Sequence, residues 1–352
     1  MKAAIYKGIK QMACEERPKP GIVDGGDAII RVVRGSDLWF YRDGGKPVDS
    51  QAGHEAIGVV EAVGEDVTIV KPGDFVIVPF PYSCGKCPVC KAGFESSCPH
   101  GGYFGDEDGM GCQAEYLRVP EAEGTLVVVP GDAKTFSDEM LASLLTLSDV
   151  MATGYHAAAS AEVKPGDTAV VFGDGAVGLC AVLSAKLMGA TRIISMSRHT
   201  DRQEIAKKFG ATDFVEERGD EAVAKVLEMT DGYGADAVLE CVGSALSNDM
   251  AMKVARAGAI VGRACPTTSK PIFPASSSAM SVYAVARPRC VLMTCGACSR
   301  RCWTATSIPV SYTLASTHWM ISRKRMPLWT NAVPSSRCCG SAKSDFVVPN
   351  DI

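Results

Sequence analysis

Short runs of β-branched and apolar residues, broken by turn chemistry, fill the chain from residue 1 to about 130. Met1 to Lys10 alternates in strand fashion. Ala56 to Ala62 and Phe75 to Pro79 are β-rich runs without helical period, separated by the turn signal Lys71-Pro72-Gly73. From Asp138 onward the pattern becomes helix–strand alternation. The spacing predicts a helix over Glu139 to Thr146, a turn at Lys164-Pro165-Gly166-Asp167 and a buried strand over Thr168 to Phe172. Beyond these it predicts a helix over Ala176 to Met188, a strand over Arg192 to Met196 and a helix over Gln203 to Phe209. A strand over Asp236 to Glu240 and a helix over Asn248 to Ala255 complete the series. Such alternation predicts a parallel sheet covered by helices. The sequence contains no internal repeat.

At 352 residues the chain has room for two ordinary domains. The stretch from Ala169 to Ala190 is apolar enough to suggest a membrane span. Gly173, Asp174 and Gly175 early in it and Lys186 late favour a strand, a turn and a helix instead. The formal net charge of −4 argues against non-specific nucleic-acid binding, which needs a basic surface. No apolar segment follows the first strand as a secretory signal would require, so a cytoplasmic protein is expected. In that setting the 15 cysteines are thiols or metal ligands before they are disulfides.

Charge is unevenly spread. Residues 263 to 352 carry 11 Lys/Arg and 2 acidic residues, against 25 and 38 before them. Of the 15 cysteines 7 fall in this tail, as do 3 of the 4 tryptophans, and no helical or strand period is sustained there. The domain expectation is therefore 1–150, 151–262 and a separate tail 263–352.

Cys84, Cys87, Cys90 and Cys98 form C-x2-C-x2-C-x7-C in a Gly/Pro-rich loop. Four thiolates so spaced can close a tetrahedral zinc shell with no open position, which makes the site structural. Gly173-Asp174-Gly175-Ala176-Val177-Gly178 is a G-x-G-x-x-G between a predicted strand and helix. Small residues there let the backbone approach a pyrophosphate at the helix N-terminus; Gly173, Gly175, Val177 and Gly178 are the candidate contacts. About twenty residues on, where an NAD site places an acid for the ribose, stand Ser197 and Arg198. A hydroxyl and a guanidinium suit a 2′-phosphate, so NADP(H) is expected, with NAD(H) as the alternative.

These motifs, with Gly53-His54-Glu55, Gly35-Ser36-Asp37 and Leu147-Ser148-Asp149, resemble the zinc-dependent alcohol dehydrogenases of the medium-chain dehydrogenase/reductase superfamily over residues 1 to 262. The resemblance implies an α/β protein: a GroES-like β-rich domain plus a Rossmann doubly wound parallel sheet. It also implies zinc and nicotinamide cofactors and a small alcohol or carbonyl substrate; a homo-oligomer is left open. Carried over, His54 and Asp149 would ligate the catalytic zinc, Glu55 would stand beside them in the shell, and Ser36 would hand on the substrate proton. The local alternatives are a hydrogen-bonded histidine, a helix cap at Asp149 and a turn serine at Ser36.

The pattern breaks in two places. The family has a cysteine ligand directly before Gly-Ser-Asp; here Arg34 stands there, so a loop bearing the thiolate is missing. Trp39 stands near a histidine of many relatives. In the tail, re-reading the codons one base earlier over 285–291, 301–310 and 328–332 permits text resembling the family's ordinary C-terminus. A frameshift near Arg263 is the inference, which makes Cys295, Cys298 and Cys302 accidents of reading frame. An impaired dehydrogenase is thus expected, with a non-catalytic zinc- and nucleotide-binding protein or a zinc-free quinone or enone reductase as alternatives.

Overall fold

The structure, a computed structural model, describes residues 1–36, 41, 44–105 and 110–264. Asp37, Trp39 and the tail with Cys295, Cys298 and Cys302 lie outside them. The described chain falls into two compact units, one of Met1–Phe80 with Tyr103–Leu145, the other of Pro81–Gly102 with the chain from Thr146 onward.

The first unit is β-rich. Strand β1 (Lys2–Gly8) pairs antiparallel with β2 (Gln11–Glu16). Strands β3 (Ala28–Ser36), β4 (Glu55–Val63), β5 (Phe75–Val78), β6 (Tyr116–Val119) and β7 (Val127–Val129) form an antiparallel sheet in the order β6-β3-β4-β5-β7. Ile30, Ile57, Phe75, Ile77 and Val78 are fully or almost fully buried and form its core. The turn at Lys71-Pro72-Gly73 forms as expected, with Gly73 in the left-handed region at φ +97°. Strand β3 carries a bulge: Val32 faces Gly58 and Arg34 faces Ile57, so Val33 is the extra residue. Helix α1 (Asp138–Leu145) packs beside β3 and β4.

In the second unit helix α2 (Val150–Ser160) leads into β8 (Thr168–Phe172), α3 (Ala176–Leu187), β9 (Arg192–Met196) and α4 (Thr200–Phe209). These are followed by β10 (Asp213–Phe214), α5 (Gly219–Met229), β11 (Ala235–Glu240), α6 (Ala245–Val254) and β12 (Ala255–Arg263). The sheet is wholly parallel, in the order β10-β9-β8-β11-β12. Its order reverses between β8 and β11, the crevice where open α/β sheets bind ligands. Both faces are covered, so β8 and β9 read as predominantly apolar runs. Val170, Phe172, Ile194, Val226, Met250 and Val254 form one core cluster, on the face taken by α5 and α6. Among the described residues no helix is long and apolar enough to cross a membrane.

Two expected helices shift. The helix expected from Gln203 starts at Thr200, and the one expected to end at Ala255 runs Ala245–Val254, with Ala255 opening a strand.

The first unit buries a charge just before β3. Asp27, 1% exposed, accepts from the backbone N–H of Val23 and Asp24 at 2.8 and 2.9 Å and from the Arg118 guanidinium at 2.7 and 3.0 Å. Burial alone would raise the Asp27 pKa, but the Arg118 fork and the two N–H bonds outweigh it and hold it below the ordinary value. A depressed carboxylate stabilises above its unfolded pKa, and that contribution is lost as pH falls through the folded one. Arg118→Ala should cost about 2–4 kcal/mol at pH 7, because it strands a buried charge. Urea midpoints at pH 7 and below pH 4 check this: the difference from the parent should shrink in acid.

Candidate functional site

The cysteine loop is framed by a two-residue ladder, Pro81–Tyr82 against Gly102–Tyr103, and by a single helical turn, Pro88–Lys91. Cys87 caps that turn: its Sγ accepts from the Cys90 N–H at 3.4 Å. The four sulfurs converge. Cys84 lies 3.5 Å from Cys98 and 3.9 Å from Cys90, and Cys87 lies 3.5 Å from Cys90 and 3.9 Å from Cys98. A tetrahedron with Zn–S bonds of ~2.3 Å has edges of about 3.8 Å, so the set fits a zinc ion. Two further sulfurs accept N–H···S bonds: N–H groups of Cys84 and His100 meet Cys98, and that of Cys87 meets Cys84. Such bonds orient a ligand shell. The Cys90 N–H draws the Cys87 thiol down to about 7, while burial pushes Cys90 and Cys98 up.

Of the remaining metal candidates, His54 and Glu55 belong to the first unit and Asp149 to the second. In the first, Gly53 adopts φ +100°, and a Cβ there would lie 2.6 Å from the Gln113 backbone nitrogen. This tight turn delivers His54 to the head of β4. The His54 ring meets Phe80 edge to face at 5.9 Å and 86°. Glu55 is buried and opens β4 in register with Ser36, the last residue of β3. In the second unit Asp149 stands at the N-cap position of α2, but its side chain makes no capping hydrogen bond. The Thr153 hydroxyl, one turn into α2, donates to the Asp149 carboxylate at 2.6 Å.

Arg34, the residue before Gly35, turns to α1. Its Nη2 lies 2.5 Å from Asp138 Oδ1, and its side chain is 12% exposed. A guanidinium offers donors only and does not ligate a metal.

At the carboxyl end of β8 the glycine loop opens α3. A Cβ on Gly178 would stand 2.0 Å from the Gly173 carbonyl oxygen, so only glycine lets the helix sit this close. A Cβ on Gly175 would meet nothing within 4 Å. That open space, the uncapped helix start and half-buried Val177 in its first turn fit a pyrophosphate cradle.

At the end of β9 Ser197 is fully buried and its hydroxyl donates to Asp174 Oδ2 at 2.8 Å. Arg198 is exposed and, among the described residues, has no ion-pair partner. Asp174 also receives His199 Nδ1 at 2.7 Å and Arg202 Nη1 at 2.9 Å. Burial would raise the Asp174 pKa, but bonds from His199, Ser197 and Arg202 outweigh it and hold the carboxyl low. Asp174, His199, Arg202 and Thr153 were not site candidates in the sequence. The one local signal was an acid inside an otherwise apolar glycine motif.

Residues 26–131 match the alcohol dehydrogenase GroES-like domain, and residues 176–297 match the zinc-binding dehydrogenase family. Zinc-type alcohol dehydrogenase B of Aspergillus flavus is 36% identical over 256 residues, 69% of this chain and 58% of that protein. The chain thus spans less than two thirds of that relative's length. An NADP-dependent isopropanol dehydrogenase of Clostridium beijerinckii is 32% identical over 269 residues, 74% of this chain and 75% of that protein. The solved alcohol dehydrogenase of Thermus sp. ATN1 superposes with TM-score 0.75 at 28% identity, covering 91% of this chain and 96% of that one. The chain belongs to the zinc-type alcohol dehydrogenases of the medium-chain dehydrogenase/reductase superfamily.

The sulfur geometry yields a metal prediction. Protein purified with zinc should retain one chelator-resistant ion per chain, and Cys84→Ser should lose it. Metal analysis after dialysis against a chelator checks this, and two resistant ions in the parent would contradict it.

Proposed function

We propose that the chain descends from an enzyme passing hydride between a small alcohol or carbonyl and NADP(H), and that the loss of one thiolate ligand impairs it. Family membership joined to the open glycine loop at the sheet's switch point supports the redox assignment. His54 and Asp149 are the proposed ligands of a catalytic metal, with Glu55 beside them and Ser36 as the carrier of the substrate proton. A zinc ion held there would polarise the alcohol or carbonyl oxygen. Thr153 fixes one oxygen of Asp149, and Phe80 packs on the His54 ring, so both side chains are oriented by neighbours in their own units. Gly173, Gly175, Val177 and Gly178 would take the pyrophosphate, and Arg198 the 2′-phosphate. The cysteine loop is proposed as the structural zinc site; its thiols must stay reduced, which suits a cytoplasmic setting.

The Arg34–Asp138 pair carries the impairment. It brings a fixed positive charge to the position from which the family's thiolate approaches the ion. It equally favours a second reading, a non-catalytic protein that keeps structural zinc and nucleotide. An alcohol-oxidation assay with added zinc separates the two. Inserting a cysteine-bearing loop before Gly35 should raise resistant zinc from about one to about two ions per chain. Unrepaired protein that already oxidises simple alcohols in a zinc-dependent way would overturn the impairment.

Cofactor choice is tested at Arg198. The parent should bind NADPH more tightly than NADH, and Arg198→Asp should weaken NADPH roughly tenfold or more, the size of one lost charge-assisted contact. Calorimetric titration of both nucleotides measures it; equal affinities in the parent would remove the argument for NADP(H).

A further inference from the structure

Two side chains from the turn after β9 and one from the first turn of α4 converge on one carboxylate of the glycine loop. Ser197 Oγ and His199 Nδ1 share Asp174 Oδ2 at 2.8 and 2.7 Å, and Arg202 Nη1 meets Oδ1 at 2.9 Å. The turn is fastened from behind as well: Gln203 Nε2 donates to the Ser197 carbonyl at 2.8 Å and to Glu216 at 2.9 Å. Asp174 is therefore no spare acid waiting for a ribose hydroxyl. Its acceptors are engaged by the very turn that would meet the adenosine end of a dinucleotide.

What this leaves free is specific. A guanidinium carries five N–H donors in a fixed fork, and among the described residues Arg202 uses only Nη1. Its side chain is 22% exposed, so the other donors are reachable from solvent. Arg198, four residues earlier, is exposed beside it in sequence. Ser197 is fully buried and committed. The donors left for an anion at this edge are thus the two arginines, one of them held in place by a buried carboxylate.

We propose that Asp174 is the positioning residue of the nucleotide site, holding Arg202 so that it receives the 2′-phosphate of the cofactor together with Arg198. The inference rests on the NADP(H) reading above and adds to it a second phosphate ligand and the group that orients it. A carboxylate that fixes one edge of a guanidinium leaves the other edge pre-ordered, which reduces the side-chain entropy lost when a phosphate binds. A purely structural Asp174 would stabilise the loop for both cofactors alike. A positioning Asp174 acts on the phosphorylated one.

Direct binding of NADPH and NADH to the full chain, followed by calorimetry without substrate, tests this. Arg202→Gln should weaken NADPH about tenfold and leave NADH within about twofold. Asp174→Asn keeps the side chain's size but loses its charge, and should cut the NADPH-over-NADH ratio by about fivefold. If Asp174→Asn fails to fold, Arg202→Gln, on the partly exposed first turn of α4, decides alone. A parent that prefers NADPH, with that preference unchanged in Arg202→Gln, overturns the inference and leaves the NADP(H) reading standing. So does a rise in the ratio in Asp174→Asn, which would make the carboxylate a repellent of phosphate. A parent that binds both cofactors equally overturns the reading and the inference together.

Discussion

Helix α3 reaches the end of β8 only because residue 178 has no side chain. The 2.0 Å approach of a hypothetical Cβ to the Gly173 carbonyl means that any other residue would push the helix outward. Much of the second unit depends on that contact. It sets the start of α3 at the strand-order reversal between β8 and β11 and leaves the space over Gly175 open. It also brings Asp174 to the turn after β9. A second close contact works with it: a Cβ on Gly154 of α2 would meet the backbone of Cys180 and Ala181 in α3 at 2.8 and 2.6 Å. Two helices and a strand are thus locked by absent side chains, and the nucleotide edge is shaped before any ligand arrives.

The two metal candidates illustrate opposite outcomes of one physical rule. A tetrahedral soft-metal shell needs its thiolates close together and supported by N–H donors. The loop of Cys84, Cys87, Cys90 and Cys98 meets that rule within a stretch of chain short enough to be self-contained. The proposed catalytic set draws on distant parts of the sequence, so no single stretch of chain contains it. Strand β3 carries a bulge at Val33, and the guanidinium of Arg34 pairs with Asp138 of its own unit.

The strands Thr168–Phe172 and Arg192–Met196 were legible residue for residue, because a strand buried on both faces is a predominantly apolar run. Helix Val150–Ser160 was not legible. Gly154 packs it against α3, and the Ala157 carbonyl lies against Gly262 of β12, so it has no polar stripe to betray a helical period. Ala255 looked like the end of a helix but opens a strand, since pairing with Ala235 across the sheet is not a local property. The Gly219–Met229 helix has a buried stripe of Ala222, Val223 and Val226, yet it opens on a glycine, which blunts the signal.

Motif spacing alone determined the cysteine tetrad, the glycine loop and the order of the two halves, because all of these are properties of neighbours along the chain. Only the tertiary structure decided which groups at the nucleotide edge are available. Ser197 and Arg198 are adjacent in sequence and looked equivalent as phosphate donors. One is buried on a carboxylate 23 residues upstream, and the other faces solvent. A hydrogen bond needs a partner in space, and no period or spacing in the sequence says which side chain a distant residue will meet.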